Sequence, residues 1–539
     1  MNALDKFPAP SFRPFQQETI ELVEKLFDDG NEVILAQAPT GAGKTMMYFA
    51  LCLAADSAFY TTPSHLLINQ IINDKHLKGK FSVVRGRANY RCLDDCASCI
   101  KVYSCEPNTR CDRNISCANG RCQRSTKYAC KQECPYKIAK SQAQAAQTCL
   151  TTTAYSLSIH TGDCDEAEWK KRELLVIDEG HNIEDWLRNA VSFDVEYVKK
   201  EPETFEDAVD MVVAAQDVAR KDLHHIAEKA ESNELSFDEV KKLTYYQTVI
   251  QKIDHMLIDI ERENLWVHYF RKEKDVWGKD CNTLELKPVT VERFGHHLFE
   301  LADKIIISSA TLLDPELFVG SIGLKYRQWT KIEVPSTFPP ENHQVFFAGV
   351  GRMNYENIER VRPEAIKMLD VILEMEDGLR GIVHVPGYNH AEYIRTHMTP
   401  DMEYRLVFHE SRDRMRAYHQ WLEDGREDSV LVAVAMEEGI DLRDDLARFS
   451  VLWKAPYADL SDVYVKVRKS YRDGNRWYTD QALTRIIQAS GRIIRSEEDW
   501  GRTYIIDDSI IELVRRHRSE IPSWFLASWD RAKKIDRKY

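Results

Sequence analysis

The chain has 539 residues, 43% of them hydrophobic and 29% charged, with a formal net charge of −13. This length exceeds what a single hydrophobic core holds and predicts roughly three or four domains. The acidic balance excludes a general attraction to nucleic acid but leaves room for a local basic groove. The N-terminal residues contain no apolar signal-peptide region, and no apolar run is long enough to span a bilayer. We therefore expect a cytoplasmic protein with no membrane partner.

The segment EVILAQAPTGAGKTMMYFA, residues 32–50, predicts a buried strand, a glycine-bearing loop and a helix. Gly41 and Gly43 let backbone N–H groups approach phosphate oxygens, and the helix N-terminus adds its dipole. We expect Lys44 to reach the β- and γ-phosphates of ATP and Thr45 to bind Mg²⁺. The loop departs from the usual P-loop pattern at Ala38, which replaces the first glycine. The expected nucleotide-binding residues of the loop are Ala38, Pro39, Thr40, Gly41, Ala42, Gly43, Lys44 and Thr45.

Cysteines are concentrated in one stretch of the chain: Cys92, Cys96, Cys99, Cys105, Cys111, Cys117, Cys122, Cys130 and Cys134. Because we expect a reducing compartment, metal binding is favoured over disulfides. Basic residues and one tyrosine precede the stretch, a combination that suits single-stranded nucleic acid, with an ordinary solvated face as the alternative. They are Lys75, Lys78, Lys80, Arg85, Arg87, Tyr90 and Arg91.

The segment ELLVIDEGHNIEDW, residues 173–186, predicts an apolar strand that ends in Asp178 and Glu179. Carboxylates at the C-terminal end of such a strand lie in the crevice where α/β sheets bind ligands. Asp178 suits coordination of Mg²⁺, and Glu179 suits polarisation of the attacking water. We expect His181, which follows directly, to couple hydrolysis to motion elsewhere.

Glycine nearly disappears from residues 195–290, and the charge density rises. Apolar residues recur there at helical spacing, and the later ENLWVHYFRKEKDVWG favours a β-hairpin whose aromatic residues belong to a core. The segments RGIVHVPGYNHAEYIR, DSVLVAVAMEEGIDL and GRTYIIDDSI then predict further strands. The sequence therefore predicts an α/β fold with two parallel sheets and an inserted helical region.

Several motifs, in this order, resemble those of superfamily 2 nucleic-acid helicases with a DEAH-type box, which is written DEGH here. The matching segments are FRPFQ with Arg13 and Gln16, YTTPSHLLINQ (Tyr60–Gln70), IIISSATLLD with Ser309, Ala310, Thr311 and Leu312, MEEGIDL with Glu438, Gly439 and Asp441, and QASGRIIRS with Gln488, Gly491, Arg492 and Arg495.

The resemblance implies two RecA-like motor domains with ATP bound between them. It places Arg13 and Gln16 near the adenine and Tyr60–Gln70 on the strand backbone. It adds Gly439 and Asp441 to the nucleotide site, and Gln488 to the catalytic set. A cationic arginine from the second domain would meet the γ-phosphate only when the domains close, for which we expect Arg492, with Arg495 as the alternative.

The cysteine stretch lies between YTTPSHLLINQ and DEGH, and RGRANYRC with the later CPYKIAK resembles the iron–sulfur helicases of the XPD and DinG type. That resemblance implies a [4Fe–4S] cluster held by Cys92, Cys117, Cys122 and Cys134, with Cys130 as the likeliest substitute. The remaining Cys96, Cys99, Cys105 and Cys111 are a departure from the family pattern. Three interpretations stay open: the C-x-x-C pair Cys96 and Cys99 builds a four-thiolate zinc site with two further thiols, these two residues belong to the cluster, or the surplus cysteines are free buried thiols.

The expected domains are motor domain 1 (1–88, 141–194 and 291–335), an iron–sulfur module (89–140), a helical arch (195–290) and motor domain 2 (336–539). The expected function is an ATP-dependent DNA helicase, acting as a monomer on single-stranded or forked DNA in the nucleoid of a bacterial, archaeal or phage system. The resemblance implies 5′→3′ travel. The alternatives are a nucleic-acid-stimulated translocase that does not unwind, a metal-based redox or damage sensor, and an RNA helicase.

Overall fold

The computed structural model describes residues 2–93, 116–118, 120, 123, 134–160, 169–232, 235–274, 279–434, 436, 442, 444–494 and 496–535. Ten residues named above lie outside this description: Cys96, Cys99, Cys105, Cys111, Cys122, Cys130, Glu438, Gly439, Asp441 and Arg495. In the described part of the chain, no helix has the length and apolar character that crossing a membrane requires.

The strands form three sheets. The first sheet contains β1 (Val33–Gln37), β2 (Ala58–Thr62), β3 (Ser82–Val83), β4 (Thr148–Thr152), β5 (Arg172–Ile177), β9 (Ala302–Ser309) and β10 (Trp329–Glu333). A small sheet contains β6 (Phe193–Glu196), β7 (Trp266–Lys274) and β8 (Asp280–Pro288). The last sheet contains β11 (His343–Gly351), β12 (Gly381–Val385), β13 (Leu406–Val407), β14 (Val430–Val434), β15 (Phe449–Leu452), β16 (Gly501–Asp507) and β17 (Lys533–Lys534).

The helices connect and cover these strands. In the first half of the chain they are α1 (Gln16–Asp28), α2 (Lys44–Ala54), α3 (His65–Asn73), α4 (Pro135–Ala145), α5 (Thr153–His160), α6 (Ile183–Val191), α7 (Phe205–Ser232) and α8 (Phe237–Glu261). In the second half they are α9 (His296–Phe299), α10 (Pro315–Ser321), α11 (Ile358–Met375), α12 (Tyr388–His397), α13 (Pro400–Glu403), α14 (Arg414–Glu423), α15 (Val463–Ser470), α16 (Gly474–Ser490), α17 (Asp508–Arg516) and α18 (Ser523–Trp529).

The first sheet, with its helices, is motor domain 1, and its strand order is β10-β1-β9-β5-β2-β4-β3, all parallel. Helices cover both faces, which explains why every residue of β1 and β2 is buried. Gln37 at the end of β1 pairs with Ser309 at the end of β9, and Ile177 of β5 pairs with Ile307. This register brings three loops to one edge of the sheet.

The last sheet is motor domain 2, with the parallel order β13-β14-β12-β15-β16-β11-β17. The predicted strands in the segments GIVHV, VLVAV and GRTYIID are present as β12, β14 and β16. The predicted α/β fold with two RecA-like parallel sheets is therefore confirmed. The exact division of the chain into domains stays a prediction.

Two long helices and the small antiparallel sheet, ordered β6-β8-β7 and called the arch sheet below, fill the region between α6 and β9. Helix α8 begins at a capping box in which Ser236 and Glu239 satisfy each other's backbone N–H groups. The predicted hairpin is present as β7 and β8. Trp266 at its start is buried, as expected for a core aromatic residue.

Candidate functional site

The glycine-bearing loop joins β1 to the first residue of α2, Lys44. Gly41 and Gly43 adopt φ values of +85° and +73°, the left-handed region that glycine enters without strain. A Cβ on Gly43 would lie 2.2 Å from Nε2 of Gln16, so close packing also demands glycine there. Ala38 is buried with Ala42 and Val334 in a small apolar cluster. That cluster gives a physical reason for alanine at this departure from the P-loop pattern.

The side chains of Arg13 and Gln16 donate hydrogen bonds to backbone carbonyls of this loop. Gln16 is buried, and its side-chain amide donates to the carbonyls of Ala42 and Gly43 at 3.3 and 3.2 Å. Its Oε1 accepts the backbone N–H of Arg13 at 2.8 Å, and the Arg13 guanidinium donates to the Gly41 carbonyl at 3.1 Å. Both residues therefore fix the shape of the phosphate loop.

The sequence did not single out Phe338, which also contacts this loop. A Cβ on Gly41 would lie 2.1 Å from Cζ of Phe338. Phe338 lies in the linker after β10 and packs partly against the motor domain 2 cluster that contains Trp421 and Ile493. No periodicity or motif marks Phe338, because its importance comes from the approach of two segments far apart in the chain.

Lys44 and the acidic box face each other across the edge of the sheet. The Nζ atom of Lys44 lies 3.8 Å from Oε1 of Glu179 and 3.4 Å from the carbonyl oxygen of Ala38. Asp178 is buried at the end of β5, and this burial, with the adjacent Glu179 charge, raises its pKa to about 6. The Lys44 charge opposes that rise. The box therefore combines a buried carboxyl group with a partly exposed one.

Backbone geometry explains two residues of the box. Glu179 has φ +53°, a conformation that non-glycine residues adopt at a cost and that clusters at functional sites. Its N–H donates to Oδ1 of Asp178 at 3.1 Å. Gly180 follows, and a Cβ there would lie 2.2 Å from Cγ2 of Ile307. This contact with β9 gives a steric reason for DEGH instead of a box with alanine in third position.

His181 connects the box to motor domain 2. Its Nδ1 lies 2.7 Å from Oγ of Ser309 and 3.5 Å from Oε2 of Glu179. Its Nε2 lies 2.8 Å from Nε2 of Gln488, which also donates to Oγ1 of Thr311 at 3.3 Å. These five side chains form a continuous polar chain between the two domains.

A cavity of about 310 Å³ lies beside His181 and Gln488, between motor domain 1 and α16. Asp480 lines it and accepts the backbone N–H of Asp314, and its buried Oδ1 atom has no hydrogen-bond partner among the residues that the structure describes. Burial raises the pKa of Asp480 to about 7 despite that hydrogen bond. Arg476 of α16 forms an ion pair with Asp314, so the cavity wall is itself a contact between the domains.

Arg492 follows the end of α16 directly and is partly buried in motor domain 2. Burial, with a smaller contribution from the Arg492 charge, lowers the pKa of His384 in β12 to about 3. Arg492 lies four residues after Gln488, which contacts His181 across the domain boundary. The assignment of Arg492 to the γ-phosphate stays a prediction.

Three of the four predicted cluster ligands are described and lie together. Cys92 and Cys117 are buried and Cys134 is partly buried, with 3.9 Å between the Sγ atoms of Cys117 and Cys134. The backbone N–H of Cys117 donates to the Tyr90 carbonyl at 2.7 Å. Gly120 is close enough that a Cβ there would lie 2.9 Å from Cys92 Sγ. Burial first, and then Cys134, raises the pKa of Cys117 to about 12. Within the described ranges, no group of three or more metal-binding side chains meets the geometry of a metal site.

Two family descriptions match the chain, one in each half. Residues 9–214 match "Type III restriction enzyme, res subunit", and residues 371–528 match "Helicase C-terminal domain". A relative described as "Fanconi anemia group J protein homolog" from Gallus gallus is 22% identical over 260 residues, which cover 41% of this chain and 20% of that protein. A "Regulator of telomere elongation helicase 1 homolog" from Aedes aegypti is 28% identical over 125 residues, or 20% of this chain and 12% of that protein. The chain therefore spans a fifth or less of the length of these relatives.

Two solved structures resemble the whole chain in fold. The structure named "XPD_Helicase" aligns over 98% of this chain and 100% of its own, with a TM-score of 0.58 and 16% identity. The structure of Xpd4 from S. tokodaii aligns over 97% and 100%, with a TM-score of 0.55 and 15% identity. At these identities the alignments show that the chain shares the fold of the two structures, with its paired parallel sheets.

Proposed function

We propose that this protein is an ATP-dependent DNA helicase that moves along single-stranded DNA. The observation that carries the proposal is the contact of His181, beside the acidic box, with Gln488 of motor domain 2. A motor must convert hydrolysis at one domain into movement of the other. The polar chain from Glu179 through His181 to Gln488 provides that physical connection.

The proposal gives each residue of the nucleotide site a role. Lys44 neutralises phosphate charge, and Glu179, which it faces at 3.8 Å, orients the attacking water. Thr45 and Asp178 hold Mg²⁺, which supplies charge neutralisation on the phosphates when bound. The left-handed glycines and the end of β1 suit this role, because the backbone leaves room for phosphate oxygens. Gly439 and Asp441 complete the site in this proposal.

The second domain supplies a cation to the γ-phosphate when the domains close. Arg492 is the proposed finger because it lies four residues after Gln488, which already reaches motor domain 1. Arg495 is the alternative. A finger from one domain on a phosphate held by the other makes hydrolysis depend on closure.

Single-stranded DNA is the proposed track. Lys75, Lys78 and Lys80 are exposed in the segment that joins α3 to β3. Cations of this kind bind the nucleic-acid backbone without regard to sequence. Tyr90 also makes contacts within the protein. Its hydroxyl accepts the Arg85 N–H, and its ring packs edge-on against Tyr136. These two contacts hold the Tyr90 side chain against Arg85 and Tyr136.

We propose that Cys92, Cys117 and Cys134, with Cys122, hold a [4Fe–4S] cluster. Two observations support a shared metal: Cys117 and Cys134 come from separated parts of the chain with their Sγ atoms 3.9 Å apart, and Cys92 is buried beside Gly120 in the same region. The cluster would make the module rigid, so that it wedges or guides the strand.

One observation favours zinc as the second candidate. The 3.9 Å between the Sγ atoms of Cys117 and Cys134 is close to the roughly 3.8 Å that separates two thiolates on a single tetrahedral Zn²⁺ with bonds of about 2.3 Å. Metal analysis and a visible absorption spectrum of anaerobically purified protein decide between the two. Roughly four irons per chain without zinc support the cluster, whereas zinc alone replaces it with a structural zinc site.

The function is tested by measuring strand separation and ATP hydrolysis in parallel on forked DNA duplexes with 5′ or 3′ tails. We expect DNA-stimulated hydrolysis, unwinding from the 5′ tail, and loss of both in Lys44→Ala. Hydrolysis without strand separation would replace the proposal by a translocase. Stimulation by RNA in place of DNA would replace it by an RNA helicase. Unwinding that survives loss of the metal would remove the wedge role and favour a sensor.

A further inference from the structure

The arch sheet contacts motor domain 2 directly through the hydroxyl of Tyr269, in the middle of β7. This hydroxyl donates to Oδ1 of Asp462 at 2.9 Å and accepts the backbone N–H of Tyr464 at 3.0 Å. Asp462 is the N-cap of α15, where its Oδ1 also accepts the N–H of Val465 at 3.0 Å. Tyr269 therefore supplies a capping partner to a helix 193 residues further along the chain.

The arch sheet itself is continuous with motor domain 1. Strand β6 begins two residues after α6 ends, and α6 follows the acidic box. Phe193 of β6 pairs with Leu286 of β8, and both belong to the hydrophobic core of β5 and α6. Because one core spans these elements, the sheet and motor domain 1 move together as a unit.

A second contact joins α6 to α15 beside the first. The guanidinium carbon of Arg188 lies 4.3 Å from the centre of the Tyr464 ring. Oε1 of Glu184 lies 2.7 Å from Arg188 and 3.8 Å from Arg468, which in turn binds Asp473 at 2.6 Å. Arg188, Glu184 and Arg468 are all buried. Separating the domains would expose or unpair these charges, so the contact favours one packing position of α15 against motor domain 1.

The other polar groups of the arch aromatics point inward. The indole N–H of Trp266 donates to Asp259 at 2.8 Å, and His268 stacks on Phe205. The Tyr269 ring lies beneath Lys287, 5.0 Å from its Nζ, which is a contact within the sheet that phenylalanine would keep. The Tyr269 hydroxyl is thus separable from the packing of its ring, and it is the part that reaches the other domain.

We propose that Tyr269 is a positioning residue that couples the arch sheet to motor domain 2, so that closure of the motor domains is transmitted to the arch. The inference rests on the proposed helicase function. Motor domain 2 cannot move relative to motor domain 1 without breaking both hydrogen bonds or moving the arch sheet with it. Tyr269 consequently determines how much of each domain movement acts on the strands.

The test compares Tyr269→Phe with Tyr245→Phe. The hydroxyl of Tyr245 makes an equivalent pair of hydrogen bonds, accepting from the Glu196 N–H at 3.1 Å and donating to the Asp194 carbonyl at 3.2 Å, but both partners lie in the arch sheet. The two substitutions remove the same atom, and thermal unfolding checks that both variants fold. We expect Tyr269→Phe to lower the number of base pairs unwound per ATP at least about tenfold, the factor for one lost hydrogen bond to a charged carboxylate. Tyr245→Phe should leave it unchanged.

Hydrogen exchange gives a measurement that does not depend on helicase activity. The Tyr464 amide lies in the first turn of α15, where it has no intrahelical partner, so Tyr269→Phe should accelerate its exchange. Tyr245→Phe should accelerate exchange at Glu196 and leave Tyr464 unaffected. An unchanged Tyr464 amide in Tyr269→Phe would show that the contact is absent in solution and overturn the inference.

Two further outcomes keep this inference distinct from the proposed function. If the amide exchanges faster but the base pairs unwound per ATP stay the same, the contact exists and the coupling role is wrong. If the parent protein does not unwind DNA, the helicase proposal fails. The coupling is then tested by whether exchange of Tyr464 differs between ADP and a non-hydrolysable ATP analogue, with no difference overturning it. Asp462→Asn keeps an acceptor oxygen and should preserve coupling, whereas Asp462→Ala should lose it.

Discussion

Nε2 of His181 and Nε2 of Gln488 lie 2.8 Å apart, although 307 residues separate them in the chain. His181 is also 3.5 Å from the Glu179 carboxylate, so the residue assigned to the attacking water and the helix that precedes the proposed arginine finger share one intermediate group. A change in the position of Glu179 during hydrolysis therefore reaches motor domain 2 through a single imidazole.

Replacing Gln488 with alanine should lower the DNA-stimulated kcat about tenfold and leave KM for ATP nearly unchanged. The loss of a buried hydrogen bond to His181, which leaves that nitrogen unpaired, has about this size. Steady-state ATPase assays with saturating single-stranded DNA measure it. Gln481→Ala lies two turns earlier on α16, beside the same cavity, and is the matched control. An equal loss in both variants would indicate damage to the helix instead of the contact.

Replacing Gly41 with alanine should raise KM for ATP at least tenfold, because the added Cβ meets Phe338 and φ +85° strains any L-residue. The two effects separate in the double variant Gly41→Ala/Phe338→Ala. Removing the ring relieves the steric contact but leaves about 1–2 kcal/mol of backbone strain. Affinity should therefore recover in part. Complete recovery would mean that the loop relaxes out of the left-handed conformation.

Closure of the motor domains should become more stable as pH falls from 8 to 6. The pKa of Asp480 is raised to about 7 in the folded protein from an ordinary value of 3.8, so its stabilising contribution is complete below that ordinary value and is lost as pH rises through 7. Asp480→Asn should raise the midpoint of thermal unfolding at pH 8 and flatten its pH dependence. The gain is at most about 4 kcal/mol. Glu316→Gln, an acidic residue in α10 near the same boundary, is the control for a general charge effect.

Cys134→Ser should remove the metal and its visible absorption while the motor domains stay folded. A [4Fe–4S] cluster needs four thiolates, so the neighbouring Cys92 and Cys117 cannot hold it once the Cys134 thiolate is removed. Cys281→Ser is the control, since Cys281 is buried beside Thr283 in the arch sheet and lies outside the thiol group. Full metal content in Cys134→Ser would exclude this residue as a ligand and favour Cys130.

The sequence alone determined the fold class and the order of the chemical motifs. Apolar runs such as VILAQ and ELLVI predict parallel strands because both faces of such a strand are buried. The residues that follow them, Gly41 to Thr45 and Asp178 to His181, predict phosphate chemistry because strand ends meet at one edge of a sheet. Helix α8 and the β7–β8 hairpin were predicted for the same reason: their periodicity is local.

Contacts between distant segments were decided by the tertiary structure. Nothing near Phe338 indicates that its ring would meet Gly41, and nothing in ENLWVHYFRKEK indicates that Tyr269 would cap a helix of the other motor domain. Gly180 is a third example. A Cβ at this position would clash with Ile307 on the neighbouring strand, and the local sequence does not indicate that contact. Local sequence determines which element forms, because its hydrogen bonds and apolar period lie within a few residues. The partners of a side chain across a domain boundary depend on how complete elements pack, and that is known only once every element has its place.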